Sequence, residues 1–293
     1  MGFFSTRDRP VHLGPFPLER LARGRMPDLT AVPPFQPLTF SRPDLPGSIV
    51  NAMGDYQAMM DAIRDGLVNK VQAGCPEDPQ VRADHIKAFG YFADAAMVGI
   101  GPVPQSAHLQ QPYRNPDIDR LAHDLKTKQT KTLASGIDMI MADLRDAMQA
   151  PPSGIGGHTR AITFLYEMPR DPHPGEDGCD WLHDAEHHRA CLRASETAVV
   201  LANYIRLLGW DAKAHTGTSA DVDLNQLAVS AGLATVKGSR LQNPYLGDRF
   251  GLAVVTTDFD LAMDRPLAPE DQQPGLSTKG PKWWLGVGSE RSA

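Results

Sequence analysis

Residues 211–264, DAKAHTGTSADVDLNQLAVSAGLATVKGSRLQNPYLGDRFGLAVVTTDFDLAMD, constrain the fold more than any other stretch of this chain. The alternating run DAKAHTG reads as a strand edge. Ser219 is placed to cap a helix that starts near Asp221. The glycine of AGLATVKG turns the chain, and FGLAVVTTD has the apolar, β-branched content of a buried strand. Strand, capped helix, glycine turn and strand form one compact layered unit, and its turns are where a ligand would sit. The segments before it read as packing and cover.

Upstream, residues 1–50 are dense in proline, which excludes both a regular helix and a central strand. Phe16, Leu18, Leu21, Phe35, Leu38 and Phe40 lie between those prolines, too many apolar side chains for a disordered tail. The reading is an extended arm wrapped over the body or over a partner. A helix is predicted over 55–71, on the four-residue recurrence of Met59, Ile63, Leu67 and Val71. A second is expected over 80–97, then a short strand near 97–101. Two helices are expected over 117–131 and 133–148, and a strand over 160–168. A long, largely buried helix follows over 181–208, with Gly209 where a helix end prefers it. The tail returns to Pro/Gly composition and carries Trp283 and Trp284.

The net charge of −6 argues against a nucleic-acid binder, which shows a basic stripe. No run approaches the roughly 18 apolar residues of a membrane span. The first residues carry no apolar signal core, so the expected location is the cytoplasm. Cys75, Cys179 and Cys191 are scattered, which fits a reducing compartment. Three cysteines also fall short of the four thiolates that a cubane iron–sulfur cluster takes.

Three constellations invite a chemical reading. His183, Glu186 and His187 fit the H-x-x-E-H pattern of inverted zinc peptidases, and Cys179 and Cys191 extend the four-residue spacing. All four cannot bind one ion, because twelve helical residues rise about 18 Å and ligands sit about 2 Å from zinc. A His183/His187 pair remains conceivable, but the polar first turns of a helix are more simply a hydrated face. The loop Ser153–His158 is glycine-rich but precedes a strand, whereas a dinucleotide fingerprint follows one, so it reads as a linker. His215, Thr216, Gly217 and Ser219 are more suggestive, because helix starts after strands often face ligands. Asp221 and Asp223 would repel an anion there, which favours a neutral or amide-rich ligand or simple capping.

At these residues a family enters. ANYIRLLGWDAKAHTG, LNQLAVSAGLA and NPYLGDRFGLAVVTTDFDLAMDRPLAP resemble the cobalamin-binding region of reductive dehalogenases and epoxyqueuosine reductases. The opening FFSTRDRPVHLGPFPLERL is similar to the start of the longer, non-exported catabolic reductive dehalogenases. The resemblance implies cobalamin reduced through iron–sulfur clusters, an organohalide substrate and a tyrosine proton donor. It also implies two cobalamin-type modules in tandem, the first degenerate and without cofactor. This chain departs from the pattern. It has no C-x-x-C-x-x-C run, and Ala234 stands where the family turn has its second glycine, so a Cβ hinders close approach of a corrin.

The expected fold is therefore α+β or α/β, a nitroreductase-like sandwich of a central mixed sheet and flanking helices. The expected organisation is an arm (1–50), a module resembling a degenerate cobalamin-binding domain (51–265) and a tail or linker (266–293). The expected role is the N-terminal module of a reductive dehalogenase, supporting a cluster-containing catalytic half in cis or in trans. That half would meet the organohalide; neither nucleic acid nor a membrane span is expected. A stand-alone cobalamin-binding protein and a zinc hydrolase are the alternatives. If the cradle holds cobalamin, the resemblance assigns it to His215, Thr216, Gly217, Ser219, Gly232, Leu233 and Asn243. No catalytic residue can be assigned; Tyr166, Tyr204 and Tyr245 are the weak candidates.

Overall fold

A computed structural model describes residues 9–127 and 153–273. Its centre is a four-stranded sheet of order β1-β3-β8-β4: Met97–Pro102 (β1), Arg160–Glu167 (β3), Phe250–Thr257 (β8) and Ala212–His215 (β4). The α+β class holds. Every pairing in this sheet is antiparallel, where a mixed sheet was expected. Two small ladders lie beside it: His108–Tyr113 (β2) with Ala220–Val222 (β5), and Thr235–Lys237 (β6) with Arg240–Gln242 (β7).

Two-residue alternation divides the core between the sheet's faces. Val98, Ile100, Ile162, Phe164, Tyr166, Ala253 and Val255 point to one side. There they meet the helices Pro79–Phe92 (α2) and Glu186–Leu207 (α5). Ala190, Ala194, Ala198 and Ala202 recur along α5 at four-residue spacing and are buried. Small residues on that stripe let the helix lie close to the strands. Met97, Ala161, Leu165, Leu252 and Val254 point the other way, against Leu224–Ser230 (α6) and the proline-rich arm.

The arm supplies Phe16, Leu18, Leu21, Leu29 and Val32 to that second core. Each such burial stabilises by about 1.5–3 kcal/mol as an upper value, which offsets the entropy of ordering a segment with little secondary structure. Short 3-10 turns at Val11–Leu13, Leu18–Arg20 and Leu29–Ala31 punctuate the arm. Arg23 forms a bridge with Leu267, so the arm meets the beginning of the tail.

Several helix boundaries move from their sequence positions. The first helix is Ile49–Ala62 (α1), capped by Ser48, which accepts from the Val50 N–H. The Met59/Ile63/Leu67/Val71 stripe does not form: Leu67 and Val71 lie beyond the helix and in solvent. The buried face of α1 is Val50, Met53, Gly54, Gln57, Ala58 and Asp61, and its two polar members hid it from a hydrophobic count. Helix α2 begins as expected, with Asp78 as cap and Pro79 in first position. It ends at Phe92, because Asp94 turns left-handed (φ 65°) and β1 begins at Met97. The helix Asp117–Thr127 (α3) matches the start of the one predicted over 117–131. The expected helix over 133–148 and the Trp283/Trp284 pair lie outside the described residues. No described helix is long and apolar enough to cross a membrane.

The long helix expected over 181–208 is two. Cys179–Leu182 (α4) is a single turn, and Asp184 at φ 55° breaks the chain before α5 begins at Glu186. Helix α5 ends at Gly209, whose φ of 93° is the left-handed stop expected there. Ser219 does not cap a helix. It lies just before β5, and the cap of α6 is Asp223, which accepts from the Gln226 N–H at 3.0 Å.

Candidate functional site

The seven residues assigned to a cofactor cradle are all in or beside the core, in two groups that no hydrogen bond joins among the described residues. The first group is the turn after β4. The Thr216 N–H donates to the Ser219 carbonyl at 2.9 Å, reversing the chain between β4 and β5. The Thr216 hydroxyl oxygen accepts from the Ser219 N–H and donates to Asp61 Oδ1 at 2.5 Å.

Asp61 is the centre this turn is built on. Gln57 donates to its Oδ1 at 3.0 Å and Asn115 to its Oδ2 at 2.8 Å, and the Thr218 hydroxyl donates to Oδ2 as well. The carboxylate is buried and has four neutral side-chain donors. Burial pushes its pKa up, and those donors oppose the shift. Ser219 joins the network by accepting from the Asn115 N–H at 2.9 Å. Gln57 and Asp61 are four apart on α1, so the signal was present in the sequence, but polar residues at helical spacing read as a wet face.

Beside it lies a charged network at the end of the sheet. Lys213 is fully buried, with its Nζ 2.5 Å from Asp221 Oδ2 and 2.7 Å from the Ser153 carbonyl. Arg64 reaches Asp221 at 3.0 Å. Burial works to raise the Asp221 carboxyl, but Arg64 and Lys213 hold it below its ordinary value. His215 accepts from the Asp221 N–H at Nδ1, so its Nε2 carries the proton that faces Thr256 Oγ1 at 2.8 Å. Thr256 in turn faces His158 Nδ1 at 2.7 Å. Burial pushes the His215 pKa well down, reinforced by Arg64. The loop Ser153–His158 is thus pinned at both ends, as a structural connection.

Gly217 sits under the arm. The Leu38 N–H donates to the Gly217 carbonyl at 2.8 Å, and a Cβ on Gly217 would lie 2.8 Å from Leu38 Cδ1 and 3.8 Å from Phe35 Cζ. The Phe35 N–H donates to Asp223 at 3.1 Å, and Asn225 donates to the Pro33 carbonyl at 3.0 Å. Phe35 also stacks on Tyr113. Residues 33–38 are therefore fastened across this turn by backbone, ring and side chain.

Gly232, Leu233 and Asn243 form the second group. Gly232 takes φ 68° to end α6, and a Cβ there would fall 2.3 Å from the Arg265 carbonyl oxygen and 2.4 Å from Arg23 Nη1. Arg23 donates to the Gly232, Arg265 and Leu18 carbonyls. Asn243 donates to the Leu233 carbonyl at 2.7 Å and accepts from the Tyr245 and Leu246 N–H groups. A macrocycle laid on the first turn would have to displace Leu38 and Phe35; on the second, Arg23. The residues present do not fit a corrin. A cleft beside the second turn is lined by His12, Glu19, Arg23, Lys87, Tyr91 and Asp264. Its charges are satisfied within the chain, Lys87 by Asp264 at 2.7 Å and Glu19 by Arg9 at 2.8 Å.

The remaining candidates are dispersed. Tyr166 is buried against α5, its hydroxyl held by the Ala93 carbonyl and Thr197. Tyr245 is on the opposite side of the sheet, bonded to the Pro17 carbonyl, and Tyr204 faces solvent. The zinc pattern is not assembled. The break at Asp184 takes His183 off the helix that carries His187, so their i, i+4 relation is lost. His183 pairs with Asp171 at 3.0 Å, His187 lies against Cys191, and His188 meets the Thr39 carbonyl. Among the described residues, the one set with metal-ligand proximity is Asp171, His183 and Asp184 at the surface, without Glu186 or His187.

No family model and no curated protein matches this chain. Solved structures do. The catabolic reductive dehalogenase NpRdhA, N-terminally tagged, is 33% identical with a TM-score of 0.68 over 92% of this chain and 32% of its own. The same enzyme in complex with 3-bromo-4-hydroxybenzoic acid gives 32% identity and a TM-score of 0.67 over the same shares. An epoxyqueuosine reductase from Streptococcus thermophilus reaches 12% identity and a TM-score of 0.35, too low to bear on the question. The chain spans about a third of the length of the dehalogenases it matches. Over that third the chain is related to the catabolic reductive dehalogenases.

Proposed function

We propose that this chain is a cofactor-free supporting module of a reductive dehalogenase, working for a catalytic portion in cis or in trans. In this reading the corrin cradle survives as a fold and has been filled by the chain's own arm. The observation that carries it is the Leu38 N–H on the Gly217 carbonyl at 2.8 Å, with Phe35 and Leu38 over the turn. Ala234 and the Arg23 guanidinium act in the same direction at the second turn.

The residues of the former cradle then have structural work. Asp61 gathers Gln57, Asn115, Thr216 and Thr218 into one knot that ties α1 to the β4–β5 turn. Three cysteines cannot ligate a cubane cluster alone, so electrons for dehalogenation would be handled by the other portion. The relative's ligand, 3-bromo-4-hydroxybenzoic acid, suggests a halogenated aromatic as the substrate of the assembled enzyme. The three free cysteines suit the cytoplasm.

The test is to incubate the full chain with hydroxocobalamin, desalt it and record the corrin absorption bands. The expected result is protein without corrin colour. Retention of one corrin per chain overturns the reading and favours a cobalamin-binding protein.

A further inference from the structure

The cleft beside the Gly232 turn presents hydrogen-bond donors, while its carboxylates are already taken up inside the chain. Both oxygens of Glu19 accept from Arg9, at 3.1 and 2.8 Å. Asp264 receives Lys87 on Oδ1 at 2.7 Å and the Ile100 N–H on Oδ2 at 2.8 Å. Arg23 is different, because it meets no carboxylate among the described residues. It gives three of its five N–H groups to the Leu18, Gly232 and Arg265 carbonyls. Two N–H groups and a positive charge are left over.

Further donors come from one face of α2, where Lys87 and Tyr91 stand four residues apart. The Tyr91 hydroxyl accepts from the Val98 N–H at 3.2 Å, and its own proton meets no acceptor among the described residues. The Lys87 ammonium uses one of its three N–H groups on Asp264. Its side chain is 17% exposed, so it stands in a sheltered space. Burial lowers the Arg23 pKa, and Asp264 opposes that shift only in part. The guanidinium is short of negative charge.

Leu13, Leu18, Val98 and Leu233 add an apolar wall. The arm's part of that wall is held in place by the chain itself. Arg9 donates to the Leu13, Gly14 and Phe16 carbonyls. A Cβ on Gly14 would lie 2.3 Å from the Tyr91 ring, so the arm's backbone rests on it. The cleft holds about 100 Å³, less than the roughly 150 Å³ of a cavity that admits benzene. We propose that this cleft binds a short-chain monocarboxylate such as acetate or propionate, with its carboxylate on Arg23 and the Tyr91 hydroxyl and its alkyl group on the apolar wall. A guanidinium takes a carboxylate through two parallel N–H bonds, and two N–H groups are what Arg23 has left. A dianion would bring a second negative charge without a cation to meet it, since Lys87 is matched by Asp264. The 3-bromo-4-hydroxybenzoic acid of the relative is larger than benzene and too large for this space. The site involves neither a corrin nor a dehalogenation step, so it stands apart from the supporting-module reading.

The experiment records amide NMR spectra of the full chain during titration with sodium acetate, at an ionic strength held constant with sodium chloride. Acetamide serves as the neutral molecule of the same shape. When the Tyr91 proton engages a carboxylate, its oxygen becomes a better acceptor. The Val98 amide proton, which donates to that oxygen, is therefore expected to move downfield and saturate. The Leu13 and Leu233 amides on the walls should move with the same midpoint, and acetamide should leave all three in place. Arg23→Lys keeps the charge without the paired N–H groups and should weaken binding by roughly tenfold or more. Tyr91→Phe should also weaken it and abolish the Val98 response; the parent titration decides alone if either variant fails to fold. A drift that does not saturate, or equal movement with acetamide, overturns the site. Parental affinity in a folded Arg23→Lys overturns Arg23 as its seat. The same saturable shift with inorganic phosphate overturns the monocarboxylate class.

Discussion

The Leu38 amide and the Gly217 carbonyl, 2.8 Å apart, join the proline-rich arm to the turn at the end of β4. The two residues are far apart in sequence, and their contact converts a turn that could face a ligand into one that faces this chain's own polypeptide. Around it, Thr216 and Ser219 are committed to Asp61 and Asn115, and His215 to Thr256 and Asp221. The geometry of the turn is kept by interactions that need no cofactor.

Removing the Asp61 carboxylate would leave donors on Gln57, Asn115, Thr216 and Thr218 without their acceptor in a dry interior. Asp61→Ala is expected to destabilise the fold by roughly 3–5 kcal/mol, and Asp61→Asn by less, since it retains one acceptor oxygen. Urea denaturation measures both. A loss below about 1 kcal/mol for the alanine variant would mean water reaches the site.

Gly232→Ala meets two obstacles at once. The φ of 68° is costly for a residue with a Cβ, and that Cβ would fall 2.3 Å from the Arg265 carbonyl oxygen. A destabilisation of about 1–3 kcal/mol is expected from the backbone alone, and the contact places it at the upper end. Denaturation midpoints check it; an unchanged midpoint contradicts the packing of Arg265 and Arg23 on this turn.

Folding stability should fall on mild acidification. The His215 pKa is pushed well below its ordinary 6.5 by burial, with Arg64, Lys213 and His158 facing it and Asp221 opposing. As pH drops through 6.5 the unfolded chain takes up a proton at His215 and the folded chain resists, so the unfolded state binds more protons and gains. The resulting loss between pH 7.5 and 5.5 is roughly 1 kcal/mol from this group. His187 and His188, also lowered by burial, act in the same direction. Denaturation at the two pH values, in the parent and in His215→Gln, reads the difference. The variant should lose less on acidification; an equal loss removes His215 from the account.

The layered α+β core was legible in the sequence because its signals are local and redundant. FGLAVVTT and RAITFLYE are apolar on both faces, as strands covered on both sides must be, and Gly209 marks the end of α5. The arm was legible too, since prolines alternate with apolar residues that need somewhere to go. What could not be read was the use of polar residues. Gln57 and Asp61 lie on the buried face of α1, and only the fold shows that Thr216, Thr218 and Asn115 come to meet them. The same blindness made His183, Glu186 and His187 look like one helical pattern, because a left-handed Asp184 leaves no sequence mark. Nor does spacing reveal that Leu38 and Phe35 lie on Gly217, a contact set by tertiary packing.

Whether the arm, as proposed, occupies the cradle in place of a corrin is read at the Leu38 amide. Hydrogen exchange of the full chain, with and without hydroxocobalamin, reads that bond at one residue. With the arm in place, the Leu38 amide is expected to exchange far more slowly than in an unstructured peptide and to be unchanged by the corrinoid. Exchange at the free-peptide rate, or loss of protection when hydroxocobalamin is added, would show that the arm yields the cradle and would contradict it.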